Sequence, residues 1–236
     1  MTTTESLREQ FLNGHVMLVD KPFKWTSFDA VNKIKSMLRY RLGLKKIKIG
    51  HAGTLDPLAT GLLIICTGKA TKQIEQYQGL DKIYTGTFIL GQVTPSFDLE
   101  TLPEKNLPFL HITPEMIDEA MQQLSGEQKQ LPPIYSAKKI KGERAYHYAR
   151  QGRETELKTN DIRIRSFEAT RVALPEVDFR VTCSKGTYIR SLARDLGDIL
   201  GCGAYLSALR RTHIGSYSVD DAMGMESIIR EFDQFR

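Results

Sequence analysis

The chain has 236 residues, which is enough for one large domain or two small ones. With 41% hydrophobic residues it can bury a core, and its net charge of +5 suits a polyanionic partner without requiring one. The three cysteines are far apart and form no Cys-x-x-Cys pair, which argues against a disulfide framework or a zinc site and favours a reducing cytoplasm. The polar opening residues lack the apolar stretch of a signal peptide, and no run reaches the ~18 apolar residues of a membrane span.

Apolar spacing predicts strands and helices in the first part of the chain. Residues 1–14 form a polar lead-in with room for a short helix, and residues 16–19 are an apolar run typical of a buried strand. Residues 27–39 carry apolar side chains at helical spacing, and the residues from Thr26 to Asp29 fit a capping box. A continuous apolar run at 62–66 predicts another buried strand.

The middle of the chain is also predicted to contain both strands and a helix. Residues 82–91 alternate between two faces and predict a strand. The residues Thr113-Pro114-Glu115 predict a helix start, and Gly126 ends that helix. The alternating runs 162–167 and 179–183 predict a pair of antiparallel strands.

Two more helices are predicted toward the end. Thr187 is expected to cap a helix that Gly201 closes, and Ser218 is expected to begin a last helix that runs to about Phe232. Arg190 lies in the first turn of the first of these helices, where a cation opposes the helix dipole. A carboxylate partner would explain an arginine at that position.

One loop places a carboxylate just ahead of a core strand. Gly50 and Gly53 permit backbone angles that other residues resist, and Pro57 biases Asp56 away from helix. The apolar run 62–66 follows directly. A loop on a rigid scaffold can hold a reactive group in fixed geometry, although an Asp-Pro pair also serves in ordinary turns.

Cations and aromatic residues are mixed in the segment 131–146, which also contains two prolines. Bases stack on aromatic rings and phosphates pair with Lys and Arg, so this composition fits an RNA-gripping loop. A solvated, lysine-rich surface is the alternative. Arg210 and Arg211 leave the same choice between phosphate contacts and a surface pair, and Tyr84 by itself fits plain cross-strand packing.

The string Gly-His-Ala-Gly-Thr-Leu-Asp-Pro-Leu-Ala-Thr-Gly-Leu-Leu at 50–63 resembles the signature of the TruB family of tRNA pseudouridine synthases. That family isomerises uridine-55 in the T-loop of tRNA. The resemblance runs from Val16 to about Glu226 and implies an α+β pseudouridine synthase fold. In that fold a mixed, mainly antiparallel central sheet is flanked by helices, and an RNA-gripping thumb loop is inserted at about 131–152.

The resemblance also implies a domain organisation. Residues 1–14 would precede a catalytic domain at 15–236. Many bacterial members continue into a C-terminal PUA domain that binds RNA, whereas this sequence ends at Arg236, so no PUA domain is expected.

Roles for individual residues follow from the resemblance. Asp56 would be the nucleophile, Arg190 would pair with it, and Tyr84 would stack on the target base. Further contacts to the bound nucleotide are implied for His51, Tyr188 and Leu209. The RNA-contacting cations would be Lys138, Lys139, Lys141 and Arg144 of the thumb, together with Arg210 and Arg211. The loop 91–98 resembles the family as well, but Pro95 stands where members often carry an acidic residue.

The isomerisation involves no net redox change and no hydrolytic water, so neither a metal nor an organic cofactor is expected. The expected partner is the T-arm of tRNA, bound by a monomer in the cytoplasm without guide RNA or membrane. Two alternatives stay open. One is a non-catalytic RNA-binding or tRNA-folding protein, and the other is the catalytic subunit of a guide-RNA-dependent pseudouridylase.

Overall fold

The structure is a computed structural model that describes residues 4–135, 139–140, 143–144 and 157–235. Residues 105, 139, 140, 143 and 144 are described by their backbone alone. The helices in this part of the chain are α1 (Thr4–Gly14), α2 (Ser27–Arg41), α3 (Ile74–Gly79), α4 (Pro114–Gln123), α5 (Ile189–Ile199) and α6 (Met225–Asp233). None of these helices is long and apolar enough to span a bilayer.

The strands in the same part of the chain range from two residues to fourteen. They are β1 (Val16–Lys21), β2 (Ile49–His51), β3 (Ala59–Thr67), β4 (Lys82–Leu90), β5 (Gln92–Val93), β6 (Lys105–Asn106), β7 (Gly126–Gln130), β8 (Lys139–Ile140), β9 (Glu143–Arg144), β10 (Asn160–Ala173), β11 (Glu176–Cys183), β12 (Ala204–Ile214), β13 (Tyr217–Ser218) and β14 (Met223–Gly224). Short 3-10 helices occupy Gly68–Gln73 and Val219–Asp221.

The chain divides into two compact units. The first combines Met1–Ile83 with Arg210–Arg236, and the second is Tyr84–Leu209. In the first unit β3 pairs antiparallel with β1 and β2, β14 runs parallel to β1, and the end of β12 lies beside β3.

Both faces of β3 are buried in the first unit. Leu63 and Ile65 pack on one face with Ile34 of α2, while Leu62 and Ile64 pack on the other face. A strand covered on both sides needs apolar residues at every position, which is why the run 62–66 shows no alternation.

The second unit is built on the strand order β12, β4, β11, β10, β7. β10 pairs antiparallel with both β11 and β7. Phe88 stacks on Phe179 with ring centroids 4.0 Å apart, and Phe167 meets Phe179 edge-on. The predicted strand face that carries Tyr84 and Phe88 is therefore a core face.

The predicted fold class is confirmed: helices flank a mainly antiparallel sheet in a mixed α and β architecture. Each predicted strand has its counterpart, and so do the helices predicted at 27–39 and after Thr113. Thr26 forms the predicted capping box, and the Thr113 side chain caps α4. The lead-in contains α1, whose Phe11 is buried.

Two predicted helix starts are wrong. The Thr187 hydroxyl donates to the Ser184 carbonyl at 3.0 Å, and Tyr188 is the N-cap of α5 without a side-chain cap of its own. Ser218 caps only the turn Val219–Asp221. The chain then extends as β14 to pair with β1, and α6 starts after that strand.

Candidate active site

The Asp56 loop, residues 52–58, leaves the sheet at β2 and returns to it at β3. The two strands pair up to His51 and Ile65, and the Ala52 N–H donates to the Ile64 carbonyl at 2.9 Å. The Asp56 carbonyl accepts from the Ala59 N–H at 3.1 Å, which closes a turn at the start of β3. Asp56 itself is half-buried, so its carboxylate belongs to a loop whose two ends are fixed by the same sheet.

Ser27 holds the residue that precedes Asp56. Its hydroxyl accepts from the Leu55 N–H at 2.8 Å and donates to the Leu55 carbonyl at 3.2 Å. Ser27 is buried and is the first residue of α2, whose start is fixed by the Thr26 capping box. The start of α2 therefore fixes the position of the backbone next to Asp56.

Replacing Ser27 with alanine is expected to lower the free energy of unfolding by about 1–3 kcal/mol, because two buried backbone groups of Leu55 lose their partner. The rate of the chemical step should fall about tenfold to a hundredfold through misplacement of Asp56. Urea unfolding and single-turnover kinetics measure the two effects. Ser36→Ala, at an exposed serine of the same helix, is the control, and equal behaviour of the two variants would contradict this role for Ser27.

Lys21 and Lys24 hold the residue that follows Asp56. The Lys24 N–H donates to the Pro57 carbonyl at 2.9 Å. The fully buried Lys21 ammonium donates to the carbonyls of Pro22 at 3.0 Å, Trp25 at 2.5 Å and Pro57 at 3.5 Å. The turn between β1 and α2 is therefore bonded to the backbone just past Asp56.

Burial lowers the pKa of Lys21 to about 8, although the nearby Asp56 charge acts in the opposite direction. Arg211 adds a further lowering contribution. The ammonium of Lys21 thus lies within electrostatic reach of the Asp56 carboxylate, and sequence reasoning did not single it out. The sequence feature that could have pointed to Lys21 is the Lys-Pro pair just after the first predicted buried strand.

The contribution of Lys21 to stability is expected to rise with pH between about 8 and 10.5. Below that window Lys21 is protonated in both the folded and the unfolded chain, whereas within it only the unfolded chain keeps the proton. The test is urea unfolding across this window for wild type and Lys21→Met. Wild type should gain stability relative to Lys21→Met, while Lys33→Met, at an exposed lysine, should track wild type. Parallel profiles for wild type and Lys21→Met would contradict the prediction.

Arg211 lies beneath the Asp56 loop and is not a surface residue. It is 1% exposed, and its guanidinium donates from Nε to the Leu62 carbonyl at 2.7 Å and from Nη2 to the Gly53 carbonyl at 3.1 Å. Gly53 has a φ of +106°, which favours glycine. The expectation of a surface pair or phosphate contact does not fit this burial, because the side chain finds backbone carbonyls inside the unit.

His51 ends β2 at the entrance to the same loop. Burial lowers the pKa of its imidazole, and the Arg211 charge lowers it further. The ring is therefore neutral at neutral pH. A neutral imidazole is suited to positioning by hydrogen bonding and stacking.

Arg210 differs from its neighbour. Its guanidinium forms a two-pronged pair with Asp20, with distances of 3.0 Å and 2.8 Å, and its side chain is 40% exposed. A phosphate would compete with Asp20 for this group, so the phosphate contact predicted for Arg210 stays a prediction.

Arg190 occupies the first turn of α5 in the second unit and is buried. Its Nε lies 3.5 Å from Asp98 Oδ2, and its Nη1 donates to the Ser96 carbonyl at 3.3 Å. Burial with a carboxylate partner accounts for a cation that opposes the helix dipole.

The loop that contains Asp98 is tightly folded. The Asp98 carbonyl accepts from the hydroxyls of Thr94 at 2.7 Å and Ser96 at 3.2 Å, and its carboxylate accepts from the Glu100 N–H at 2.9 Å. Sequence reasoning missed Asp98. The loop 91–98 lacks an acidic residue at Pro95 but carries one at Asp98. That acidic residue was the available signal in the sequence.

The other predicted nucleotide-contacting residues also lie in the second unit. Tyr84 is buried on β4, while Tyr188 and Leu209 are half-buried. The Tyr188 backbone exchanges hydrogen bonds with the Gln130 side chain at 2.8 Å and 3.1 Å, which fixes the start of α5. In the first unit, His51 ends the strand that leads into the Asp56 loop. That His51 and Asp56 share one site with Tyr84, Tyr188 and Leu209 stays a prediction.

Part of the predicted thumb is described. The backbones of Lys139 and Arg144 are register partners in the β8–β9 pair. Lys138 and Lys141 lie outside the described residues, so the predicted RNA contacts of the thumb stay predictions.

Comparison with known families finds matches from residue 39 to residue 234. Residues 39–189 match the TruB family pseudouridylate synthase N-terminal domain, and residues 190–234 match the tRNA pseudouridylate synthase B C-terminal domain. The chain belongs to the TruB family of pseudouridylate synthases. It is therefore an isomerase of uridine in RNA, and the resemblance drawn from its central motif is confirmed.

Curated relatives from the TruB family are similar over almost their full length. A protein of Flavobacterium johnsoniae named tRNA pseudouridine synthase B is 56% identical over 216 residues, which cover 91% of this chain and 94% of the relative. A protein of the same name from Phocaeicola vulgatus is 51% identical, with 95% of both chains covered.

Solved structures confirm the pseudouridine synthase fold expected of a TruB family member. A chain from the crystal structure of a Cbf5-Nop10-Gar1 complex is 28% identical, with a TM-score of 0.71 and 97% of this chain covered. A chain from an H/ACA RNP bound to a substrate RNA containing 2'-deoxyuridine is 26% identical, with a TM-score of 0.68. The present chain spans 56% and 55% of the lengths of those two chains.

Proposed function

We propose that this enzyme isomerises uridine-55 in the T-loop of tRNA to pseudouridine, with Asp56 as the nucleophile. The choice of tRNA is supported by the names of relatives that are at least half identical over more than nine-tenths of their length. The choice of the T-loop uridine is supported by the fourteen-residue signature at 50–63.

One observation carries the assignment of Asp56: both neighbours of this residue are held by hydrogen bonds from the β1–α2 region. Ser27 fixes Leu55, and Lys24 and Lys21 fix Pro57. A nucleophile must meet the reacting carbon within a few tenths of an ångström, and a loop fixed on both sides of the carboxylate supplies that accuracy. A carboxylate that served only to close a turn would not need these anchors.

The reaction exchanges one bond of the uracil for another. The bond between ribose C1′ and uracil N1 breaks, the base turns, and a bond between C1′ and C5 forms. The proton on C5 leaves and N1 gains one, so atoms and charge balance without a redox partner. The Asp56 carboxylate acts at the ribose or the base while the uracil is detached.

The second unit supplies the remaining roles in this proposal. Arg190, which is braced by Asp98, pairs with the Asp56 carboxylate and keeps it ionised when a base excludes water. Tyr84 stacks on the target base and is a candidate acceptor for the C5 proton. Tyr188 and Leu209 contact the target nucleotide.

RNA binding must offset the cost of extracting the target nucleotide. Taking one base out of its stack costs roughly a few kcal/mol, and stacking on an aromatic ring returns about 1–3 kcal/mol. His51 lies on the RNA side of the Asp56 loop. The thumb cations and Arg210 grip phosphates of the T-arm. Arg211 instead links the loop at Gly53 to β3 at Leu62.

The enzyme is proposed to act as a monomer in the cytoplasm and without guide RNA. Identity to the relatives named for tRNA exceeds 50%, against 28% for the Cbf5 complex. The three free cysteines, all buried, suit a reducing compartment.

Position mapping tests the proposed substrate. Purified protein is incubated with an unmodified tRNA transcript, and pseudouridine is located by carbodiimide derivatisation and primer extension. A stop at position 55, absent from a transcript with cytidine at that position, is the expected result. Modification at other uridines, or only after a guide RNA is added, would contradict the proposal.

A further inference from the structure

Two exposed aromatic residues stand next to the residues that anchor the Asp56 loop, and they have no role in the site described above. Phe23 is 52% exposed and Phe28 is 65% exposed. A phenylalanine gains its hydrophobic free energy only when it is covered, so large rings left in water next to a reactive loop indicate a binding surface.

Both rings are tied to the immediate neighbours of Asp56. Phe23 precedes Lys24, whose N–H donates to the Pro57 carbonyl at 2.9 Å. Phe28 follows Ser27, whose hydroxyl holds the Leu55 backbone at 2.8 Å and 3.2 Å. Each ring is thus one residue away from a group that anchors the residue before or after Asp56. The rings are presented on rigid backbone, which limits the entropy lost when a ligand covers them.

Lys24 adds a positive charge at the same place. Its ammonium lies 5.7 Å from the centroid of the Phe23 ring. Its backbone has a φ of 66°, a left-handed conformation that costs a side-chain-bearing residue free energy that glycine would not pay. Strained backbone of this kind clusters at functional sites.

We propose that Phe23 and Phe28 form a stacking subsite for unpaired bases of the RNA substrate next to the target nucleotide, and that Lys24 neutralises an adjacent phosphate. The inference rests on the proposed function, since it is the RNA bound at Asp56 that reaches these rings. Aromatic rings beside a cation are the combination that binds single-stranded RNA, in which bases are free to leave their stack.

The test measures RNA affinity with turnover blocked. In an Asp56→Asn background, the double change Phe23→Ser and Phe28→Ser should weaken the Kd for unmodified tRNA about 5- to 100-fold. With Asp56 intact, the single-turnover rate at saturating tRNA should stay within about twofold of wild type. The matched control is Tyr40→Ser, an aromatic residue of α2 that is 73% exposed and lies about 18 Å along the helix from Phe28. This control should leave the Kd unchanged.

Two further variants separate stacking from general hydrophobic contact. Phe28→Trp keeps an aromatic face and should keep the affinity, whereas Phe28→Leu keeps an apolar side chain and should lose part of it. Lys24→Gly, which also removes the left-handed strain, should reduce the slope of log K against log salt by about one.

An unchanged Kd in the double variant, or full affinity in Phe28→Leu, would overturn the stacking subsite. An unchanged salt slope in Lys24→Gly would overturn the phosphate contact. Sedimentation tests whether the two rings instead contact a second copy of the chain. If wild type self-associates and the double variant does not, the rings join two copies and the proposal fails. A wild type that forms no pseudouridine refutes the proposed function, whereas an active wild type with an insensitive Kd refutes only the subsite.

Discussion

Replacing Asp56 with asparagine is expected to lower the rate of pseudouridine formation more than about a thousandfold while tRNA binding persists. Asparagine preserves the shape of the side chain and the backbone bonds of Leu55 and Pro57. It removes the charge and the nucleophilic oxygen, so the loss falls on the chemical step. Single-turnover kinetics at saturating tRNA and filter binding measure the rate and the affinity separately.

Asp118→Asn provides a charge-matched control, because Asp118 is an exposed carboxylate on α4. It should behave as wild type in both assays. Turnover by Asp56→Asn within tenfold of wild type, or loss of binding in place of chemistry, would contradict the nucleophile assignment.

Replacing Arg190 with lysine is expected to lower the single-turnover rate at least about a hundredfold in a protein that still folds. Lysine keeps the positive charge near Asp98 but lacks the planar fork of a guanidinium. Arg190 already uses Nε toward Asp98 and Nη1 toward the Ser96 carbonyl. The proposed contact with Asp56 needs a further N–H in fixed orientation, which a single ammonium cannot supply together with the other two.

The control for this change is Arg194→Lys, one turn further along α5, where the arginine pairs with Asp195 at 2.7 Å. It should retain near-normal turnover. Thermal unfolding of Arg190→Lys checks the fold, and the activity loss counts only in a folded protein. Normal turnover by folded Arg190→Lys would show that the proposed pairing with Asp56 is wrong.

Elements whose determinants lie close together in the sequence could be predicted. Thr26 caps α2 through Asp29, only three residues away, and Thr113 caps α4 in the same way. The apolar run of β3 predicted a buried strand, and the structure covers both of its faces. The Asp56 loop was recognisable because Gly53 and Pro57 limit its backbone directly.

Features set by distant partners could not be predicted. The Tyr188 backbone is held by the side chain of Gln130, which is 58 positions away, and Tyr188 is the N-cap of α5 in place of Thr187. Arg211 is buried because carbonyls at Leu62 and Gly53, about 150 positions earlier, accept its hydrogen bonds. No local pattern encodes such contacts, since Gln130 and Arg211 each resemble an ordinary surface residue in the sequence.

The same reason hid the supports of Asp56. Ser27 resembles a routine residue of a helix start, and its bond to Leu55 spans 28 positions. The position of Asp56 was therefore accessible from a motif, whereas the side chains that hold its loop in place required the tertiary structure.

The most direct test is release of tritium from C5 of uridine in unmodified, labelled tRNA by the purified chain alone. Wild type should release one tritium per tRNA, from the T-loop uridine, and Asp56→Asn should release none. That result would establish the isomerisation, its independence from guide RNA and the need for Asp56 together. A folded wild type that binds tRNA and releases no tritium would contradict the account and favour a non-catalytic RNA-binding protein or an enzyme that needs a partner.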